Sequence, residues 1–449
     1  MSNVTVVRSA RLRGLDRRDR TLVGCGLALA LLVRVAIVVK THGSYAPIDD
    51  AADFSRIAVS IAHGHGFGRS SVQGAIGPSA FRAPLWPGLL GAVYAVTGVS
   101  WTAGRLLLAV VGTGVVGAIG ALGRHIAGRK VGLVALYVAA VYPPLVLGGY
   151  QLNYEPVMAL FILSAMLCGL RWRDRPGQMR WLVLAGILSG LAVLCRENGA
   201  LVLVALWIMI VGARSPASLR SVGQRLLVIT GCAVLVVVPW TIRNELQFHS
   251  FVPVTDSPGL AFVGEYNPYT AAHLESPTSF DFSSFISPQE LASRTDSEPQ
   301  IMAKAKTAAV RYIEAHPSDV PRVWFWNTVH LFDLQGPRSA SWIANVLAVP
   351  SWSAEVSTLS FYVVGLIALL GLLSRRGRVI PKWILAFPLL WSLGIIVTIS
   401  VNLYRFNVEP FVVLLAATAA VSVFDRRRSQ KDIDGTAPHC SSKAFRPSR

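Results

Sequence analysis

The sequence has 449 residues, of which 53% are hydrophobic and only 15% are charged, and its formal net charge is +18. Soluble domains usually carry about 25% charged residues, so this composition excludes an ordinary soluble domain. The Lys and Arg residues form short clusters between long apolar runs, which is typical of the cytoplasmic loops of a membrane protein and argues against nucleic acid as a partner. The five cysteines show no zinc-binding or redox spacing and imply no disulfide framework.

The apolar runs are long enough to cross the hydrocarbon core of a bilayer, which takes about 20 residues per helix. They lack the alternation that membrane β-strands show, so the sequence predicts an all-α polytopic membrane protein with about 10–11 transmembrane helices. A basic cytoplasmic N-terminus, residues 1–20, precedes the first span, Thr21–Lys40. No small-residue cleavage site follows this span, which is therefore expected to remain in the protein.

A large outer loop, residues 41–86, follows the first span and is expected to carry the chemistry. Apolar residues recur at helical spacing between Asp50 and Ala62, which predicts a short amphipathic helix on the membrane surface with Asp50 near its N-terminus. Residues 84–123 are then interpreted as one crossing, whose first part is re-entrant or tilted. Two full crossings there would move every later basic cluster to the outer side.

With one crossing in that stretch, residues 21–240 form an N-terminal transmembrane module of seven crossings. Residues 241–355 then remain outside as a small extracytoplasmic segment, with an amphipathic helix predicted at Pro299–Ala315. Three further crossings lie within residues 356–424. The polar tail, residues 425–449, is expected to be disordered and cytoplasmic.

Three acidic residues are candidate site residues at the outer membrane edge, two for acid–base chemistry and one for binding substrate hydroxyls or a cation. A general base has to reach the acceptor hydroxyl and be ionised at the working pH, and Asp49 and Asp50 meet both needs beside a lipid-linked phosphate. Asp is also a common N-cap, so the alternative is that the pair only starts the following helix. Glu155 opens a later span, where it either faces the first acids across a site or complements the helix dipole.

Four arginines at membrane edges are candidates for binding a substrate phosphate, because the planar guanidinium offers a fork of donors that matches phosphate oxygens. Arg82 lies in F-R-A-P-L-W-P, where two prolines fix the backbone. Arg196 lies between two apolar runs beside Glu197, which either neutralises it or leaves it for substrate. Arg243 and Arg405 lie at the ends of later spans. For these side chains the alternative role is simply to snorkel to the membrane interface.

No metal site is assigned from the sequence. His63 and His65 form an H-G-H pair without a third ligand at a fixed spacing, which is a weak metal signal. Asp50 and Glu155 could bracket a divalent cation, so its involvement stays open, and no other cofactor is implied. The sequence contains no P-loop, GxSxG or HExxH motif, so ATP-driven transporters, hydrolases and metalloproteases lack their usual marks.

Together, these motifs resemble those of the GT-C membrane glycosyltransferases, the group that contains the protein O-mannosyltransferases and the aminoarabinose transferases of lipid A. The group shows an acid pair before an aromatic residue, an [FY]-[RK]-x-P-L motif after a Gly-rich loop, an acid opening the fourth span, a G-x-x-x-G motif ending in Arg, P-W-x-x-R-N and R-[FY]-x-x-x-x-P. The corresponding residues here, in the same order, are Asp49-Asp50 with Phe54 and Ala58, Phe81–Leu85, Glu155, Gly186–Arg196, Pro239–Asn244 and Arg405–Pro410.

The resemblance implies transfer of a sugar from a polyprenyl-phosphate donor to a lipid, glycan or protein acceptor, on the extracytoplasmic side of the cell membrane. It implies that Asp50, by its spacing from Phe54, is the general base rather than Asp49, and that Arg82 contacts the donor phosphate. It also implies a single displacement with inversion at the anomeric carbon. The chain departs from the group in having Asp53-Phe54 where a tyrosine is common.

A second hypothesis is a transporter or flippase of a lipid-linked sugar, which would bind the phosphate with the same arginines and do no chemistry. Transporters often place ionisable sites near the bilayer midplane within paired repeats. No internal repeat is visible in this sequence, and the acidic residues crowd one side of the predicted topology. The sequence therefore favours the enzyme, while a related scaffold without activity is a third interpretation.

Overall fold

The computed structural model describes residues 16–70, 76–213, 218–276, 281, 297–336, 344–345, 349–374, 377–399 and 401–434. Several predicted features lie wholly or partly outside these residues. They are the basic N-terminus before residue 16, the Gly-rich loop at residues 71–75, parts of the 241–355 segment and the tail beyond residue 434.

The described part of the chain is mostly helical, with one small antiparallel hairpin in which Gly68 pairs with Pro78. Short 3-10 turns at Glu197–Ala200, Gly377–Val379 and Asn402–Asn407 join some of the helices. In chain order the elements are α1 (Arg17–Lys40), α2 (Asp49–Ala62), β1 (Gly68–Ser70), β2 (Ile76–Pro78), α3 (Leu85–Thr97), α4 (Trp101–Ala127), α5 (Arg129–Val141), α6 (Pro143–Leu147), α7 (Glu155–Asp174), α8 (Arg180–Cys195), α9 (Leu201–Val211), α10 (Leu219–Phe248), α11 (Pro258–Glu265), α12 (Pro268–Ala272), α13 (Glu298–Ala315), α14 (Asp319–Leu331), α15 (Ser351–Leu373), α16 (Lys382–Thr398) and α17 (Glu409–Asp434).

Within the described ranges, five helices are long and apolar enough to cross a membrane: α1, α4, α7, α10 and α15. Shorter apolar helices of 10–17 residues include α3, α8, the stretch Glu197–Val211 and α16. These helices confirm the predicted all-α polytopic membrane fold, and the total number of crossings stays a prediction. The helix predicted from Asp50 to Ala62 is confirmed as α2, and the amphipathic helix predicted at Pro299–Ala315 is α13. The location of α2 on the membrane surface stays a prediction.

The apolar stretch of residues 84–123 forms two helices, because α3 ends at Thr97 and α4 begins at Trp101. At 1.5 Å per residue, α3 spans about 20 Å, which is less than the roughly 30 Å of the hydrocarbon core. It packs against α2. The structure thus pairs α3 with the predicted surface helix and leaves α4 as the long apolar helix, which favours one full crossing in this stretch.

The helical conformation is interrupted between α5 and α6 at two consecutive prolines, and a buried arginine donates hydrogen bonds to the carbonyl groups at this interruption. Pro144 has no N–H to donate to the carbonyl of Ala140, four residues earlier. The Arg34 guanidinium, from the middle of α1, donates to Ala140 O at 3.2 Å, to Leu145 O at 3.4 Å and to Ala30 O of its own helix at 3.1 Å. A cation inside a span is tolerated when it binds backbone carbonyls in this way.

Two glycines allow α8 and α10 to approach each other closely. A Cβ on Gly186 would lie 2.4 Å from the carbonyl oxygen of Ile229, and one on Gly190 would lie 2.7 Å from that of Ala233. Small residues four apart are a common solution for close helix packing in membranes. This seam fixes the C-terminal end of α8, from which Arg196 extends.

Most of the buried apolar residues form one large cluster among the membrane helices. A smaller cluster lies in residues 241–355, which are called the outer segment after their predicted side, and two further clusters have three buried residues each. The smaller cluster is built from α11, α13 and α14, and it includes Val263, Ile301 and Val323. Phe81, from the first outer loop, is also a member of this cluster and is only 5% exposed. The outer segment and the loop before α3 therefore share one core.

Candidate active site

Several elements converge on one polar pocket at one end of the helix bundle. They are the first turns of α2, the loop before α3, the N-terminal end of α7, the C-terminal end of α8, the segment before α11 and the 3-10 turn before α17. Its side chains come from positions as far apart as residues 50 and 404 in the sequence. The pocket is lined by Asp50, Phe54, Phe81, Arg82, Ala83, Tyr154, Cys195, Arg196, Glu197, Thr255, Ser257 and Tyr404.

The two predicted carboxylates at the start of α2 have different surroundings. Asp50 lines the pocket, and its side chain is 36% exposed. Asp49 is exposed and has a φ of +47°, a left-handed conformation that Asp tolerates better than most residues. Partial desolvation, followed by the neighbouring Asp50 carboxylate, raises the pKa of Asp49. The structure therefore brings Asp50, and not Asp49, into the lining of the pocket.

Arg82 bridges two acids of α2. Its Nη2 donates to Asp50 Oδ1 at 2.6 Å, and its Nε donates to Asp53 Oδ2 at 3.0 Å. The guanidinium lies 5.1 Å from the ring centre of Phe54 and 4.7 Å from that of Phe81. Burial lowers the pKa of Arg82, but the two carboxylates raise it by more, so the guanidinium is charged throughout the physiological pH range.

Asp53, the third acid of the loop that was predicted to carry the chemistry and a departure from the GT-C pattern, is the more buried partner of Arg82. Its side chain is 2% exposed, and it also accepts a hydrogen bond from Arg56 at 3.2 Å. A buried carboxylate requires a cation or several donors nearby, and Arg82 meets this need. The signal in the sequence was its position three residues after Asp50, which puts both carboxylates on one face of a helix.

Arg196 is the second cation of the pocket. It lies between the rings of Tyr154 and Tyr404, at 5.7 and 4.4 Å, and donates a short hydrogen bond to the Tyr154 hydroxyl. It forms no salt bridge with any carboxylate in the part of the chain that the structure describes. The chain can turn sharply after Arg196 because Gly199 lacks a Cβ, which would lie 2.4 Å from the carbonyl oxygen of Ala192.

A row of polar side chains faces the cations across the pocket. The Thr255 hydroxyl donates to Glu197 Oε2 at 3.1 Å and lies 3.0 Å from the Ser257 hydroxyl. Glu197 therefore accepts a hydrogen bond from Thr255 and forms no salt bridge with its neighbour Arg196. No sequence motif predicted Thr255, Ser257 and Tyr404 as pocket residues, because the only indication of a role was their proximity to other motifs along the chain.

Glu155 begins α7, directly after the pocket residue Tyr154. It is 4% exposed, and its Oε2 has no hydrogen-bond partner among the described residues. It is not one of the side chains that line the pocket. Its role in binding substrate stays a prediction.

The structure does not bring Arg243 and Arg405 into this pocket. Arg243 lies on α10 and donates to the carbonyl oxygens of Ser79, at 2.9 Å, and Phe67, at 3.0 Å. Arg405 is buried, lies 3.6 Å over the ring of Phe361, and forms salt bridges with two buried acids. Their proposed contacts with substrate therefore stay predictions.

A divalent cation also stays a prediction. Across the described ranges, no group of three or more His, Cys, Asp or Glu side chains is arranged to hold a metal ion. His63 and His65 stack with ring centres 6.4 Å apart, outside the pocket. The two acids of the pocket lining are Asp50 and Glu197.

Comparisons with known proteins agree with this architecture. Residues 82–242 match the family model described as dolichyl-phosphate-mannose-protein mannosyltransferase. No curated protein sequence matches the chain significantly. Among solved structures, the apo oligosaccharyltransferase of Archaeoglobus fulgidus is 12% identical, with a TM-score of 0.56 over 95% of this chain and 52% of that one.

Two further structures are similar. AglB of Archaeoglobus fulgidus, in complex with an inhibitory peptide and a dolichol-phosphate, is 13% identical, with a TM-score of 0.54 over 95% of this chain and 52% of that one. ArnT of Cupriavidus metallidurans, bound to undecaprenyl phosphate, is 12% identical, with a TM-score of 0.42 over 92% of this chain and 79% of that one. The chain spans about half the length of the archaeal oligosaccharyltransferases.

These comparisons confirm the resemblance to the GT-C membrane glycosyltransferases noted in the sequence. The archaeal oligosaccharyltransferases share the fold of this chain. More particularly, the segment from Arg82 to Ile242 is similar to the dolichyl-phosphate-mannose-protein mannosyltransferase family. That segment contains both cations of the pocket.

Proposed function

We propose that the protein transfers a sugar from a polyprenyl-phosphate donor to a lipid, glycan or protein acceptor at the extracytoplasmic edge of the membrane. The observation that carries this proposal is the presence of Asp50, Arg82 and Arg196 in one pocket. Two comparisons support the donor class: the matching family model is named for dolichyl-phosphate-mannose, and the similar AglB structure contains a dolichol-phosphate.

The donor phosphate is expected to bind between Arg196 and Arg82. Arg196 is the cation of the pocket without a salt bridge to a described carboxylate, so its charge is available to an anion. Arg82 already binds Asp50 at 2.6 Å, so a phosphate that reaches it competes with Asp50 for the same guanidinium. Both side chains are arginines, whose planar donors suit phosphate oxygens.

Asp50 is expected to act as the general base. In this mechanism the Asp50 carboxylate takes the proton of the acceptor hydroxyl, and the acceptor oxygen attacks the anomeric carbon. The bond from that carbon to the phosphate oxygen breaks, and its electron pair stays on the phosphate. Arg82 and Arg196 stabilise the charge that develops there. A single displacement of this kind inverts the anomeric carbon.

The sugar of the donor is expected to lie against Glu197, Thr255 and Ser257. A carboxylate and two hydroxyls offer acceptors and donors that match sugar hydroxyls. The three side chains already form a hydrogen-bonded row on the pocket wall. The Tyr404 ring, which also lines the pocket, adds an apolar surface of the kind that a sugar ring can pack against.

The test uses purified protein in proteoliposomes with radiolabelled polyprenyl-phosphate sugars, beginning with the mannosyl lipid. We expect Asp50→Asn to lose about 10²–10⁴-fold in transfer, the usual contribution of a general base, while the folded protein still binds donor. The matched variant is Asp49→Asn. Transfer by Asp50→Asn at the wild-type rate would refute the assignment of the base, and loss in Asp49→Asn instead would move the role to that residue. A wild-type protein that moves the lipid between leaflets without consuming it would be a transporter.

A further inference from the structure

The loop that presents Arg82 is held from outside by a carboxylate of the outer segment. Glu298, the first residue of α13, accepts a hydrogen bond from the Ala80 backbone N–H at 2.6 Å. Its two carboxylate oxygens also lie 3.0 and 2.9 Å from the Ser79 hydroxyl, which donates to them. Glu298 is more than two hundred residues away in sequence, so these contacts tie α13 directly to the segment before Arg82.

Three further hydrogen bonds hold this segment. The Ser79 carbonyl accepts from Arg243 Nη1 at 2.9 Å, and the Ala80 carbonyl accepts from the Asp256 backbone N–H at 3.2 Å. The Phe81 N–H donates to the Ser79 hydroxyl oxygen at 3.1 Å. Ser79 is fully buried. Every one of these bonds is directional, so together they fix the course of the backbone up to residue 82.

Side chains on either side of this backbone are fixed as well. Phe81 belongs to the apolar cluster of the outer segment, together with Ile301 and Met302 of α13. Its ring lies under the Arg82 guanidinium. Ala83 packs in a separate cluster with Val254. The residues before and after Arg82 are therefore both anchored to the outer segment.

This anchoring matters because Arg82 has a long and flexible side chain. Bridging Asp50 and Asp53 with two different nitrogens restricts where its Cα can lie relative to α2. Immobilising such a side chain costs rotamer entropy, and the cost is smaller when the backbone is already held. An error of about 1 Å in a charged group at a reaction site can cost about 10²-fold in rate.

We propose that Glu298 is a positioning residue for Arg82. Glu298 acts together with Arg243 by fixing the backbone of Ser79–Phe81. Arg243, which the sequence suggested as a phosphate ligand, has the same positioning role. The outer segment thereby contributes to donor binding without touching the donor. Only the role of Arg82 in donor binding rests on the proposed function; the anchoring does not depend on it.

The first experiment measures the anchoring itself, by hydrogen exchange of the full-length protein in detergent micelles. Glu298→Ala removes the acceptor of the Ala80 N–H, so exchange at Ala80 and Phe81 should rise at least tenfold. Glu298→Gln retains a carbonyl acceptor and should stay within about threefold of the wild type. Glu314→Ala is the matched control, because Glu314 lies on the same helix and is exposed. Unchanged exchange in Glu298→Ala would overturn the proposal.

The second experiment measures binding of dolichyl phosphate as the probe, in a double-mutant cycle with Arg82. Glu298→Ala should weaken binding at least tenfold in the wild-type background and less than twofold in the Arg82→Ala background. Glu298→Gln should restore most of the affinity. An equal loss in both backgrounds would overturn the proposal, and so would a Gln variant as weak as the Ala variant, since that would reflect the lost charge at the helix N-terminus. A wild-type protein that does not bind the lipid would refute the proposed function, and the exchange result would still decide the anchoring.

Discussion

Arg82 and Asp50 form a 2.6 Å salt bridge between the loop before α3 and the first turn of α2. The proposed base and the proposed phosphate ligand are thus in direct contact. A donor phosphate would have to share Arg82 with Asp50 or displace it. Either event frees oxygen lone pairs on Asp50 at the moment when the donor is in place, so donor binding and activation of the base are expected to be linked.

The two acids that bind Arg82 are expected to respond differently to neutralisation. Asp53 is 2% exposed and Asp50 is 36% exposed, so removing the charge of Asp53 leaves a partly buried cation with one fewer partner. Asp53→Asn should therefore lower the free energy of unfolding by about 1–3 kcal/mol, and Asp50→Asn by less. Thermal unfolding in detergent, compared with transfer rates, would separate the two roles. Equal destabilisation by both variants would contradict this assignment.

Arg405 is expected to stabilise the protein rather than to bind a phosphate. It donates to Glu409 at 2.5 Å, to Asp333 at 3.1 Å and to the carbonyl of Leu331 at 2.9 Å, and all its charged partners are at most 6% exposed. Arg405→Met leaves two buried carboxylates without their cation, which typically costs about 3–5 kcal/mol. We expect a large drop in the unfolding midpoint. A variant with unchanged stability but lost dolichyl phosphate binding would instead support a phosphate ligand.

The role of Arg34 at the proline break can be tested by a single substitution. Arg34→Met leaves the carbonyls of Ala140 and Leu145 without their side-chain donor and is expected to lower the free energy of unfolding by about 1–3 kcal/mol. Unfolding by denaturant in a fixed detergent gives this value. An unchanged free energy of unfolding would show that Arg34 does not compensate for the break.

Glu265, at the end of α11, is expected to make stability depend on pH. Burial raises its pKa from 4.5 to about 7, and a hydrogen bond from the Asn327 side chain opposes the rise only in part. The folded protein then keeps a proton that the unfolded chain loses near pH 4.5. Stability should therefore fall as the pH rises from about 4.5 to about 7, by at most about 1.4 kcal/mol per unit.

The matching variant for this dependence is Glu265→Gln, which cannot titrate. We expect the difference in unfolding midpoint between the variant and the wild type to grow in favour of the variant across that pH window and to level off above it. Parallel curves for the two proteins would show that Glu265 ionises in the folded state as it does in water.

The helices were largely predictable because their signals are local. The period of apolar residues placed α2 and α13 to within one residue of their starts. The sequence also placed Asp50, Arg82 and Arg196 at the same predicted edge of the bundle, and all three line one pocket. Such features depend on neighbours along the chain, which one sequence displays in full.

The partners of the charged side chains were not predictable in the same way. Arg243 and Arg405 look like Arg82 in the sequence, because each lies beside an apolar run at a predicted membrane edge. Whether a guanidinium is free for a phosphate depends on which carbonyls or acids pack against it from distant elements. The Glu298 contacts with Ser79 and Ala80 join positions about 220 residues apart and carry no periodic signal.

The contacts of Arg34 also bear on how the protein is made. Two of its three carbonyl partners lie 106 and 111 residues later in the chain, which at about 5–20 residues per second corresponds to roughly 5–20 seconds of synthesis. Until then the Arg34 guanidinium lacks two of its three carbonyl acceptors and retains Ala30 O of its own helix, whereas an arginine at the centre of a transmembrane helix costs about 2.5–3.5 kcal/mol. The first helix therefore lacks two of its stabilising hydrogen bonds when it is inserted. These bonds can form only after the residues of the proline break have been synthesised.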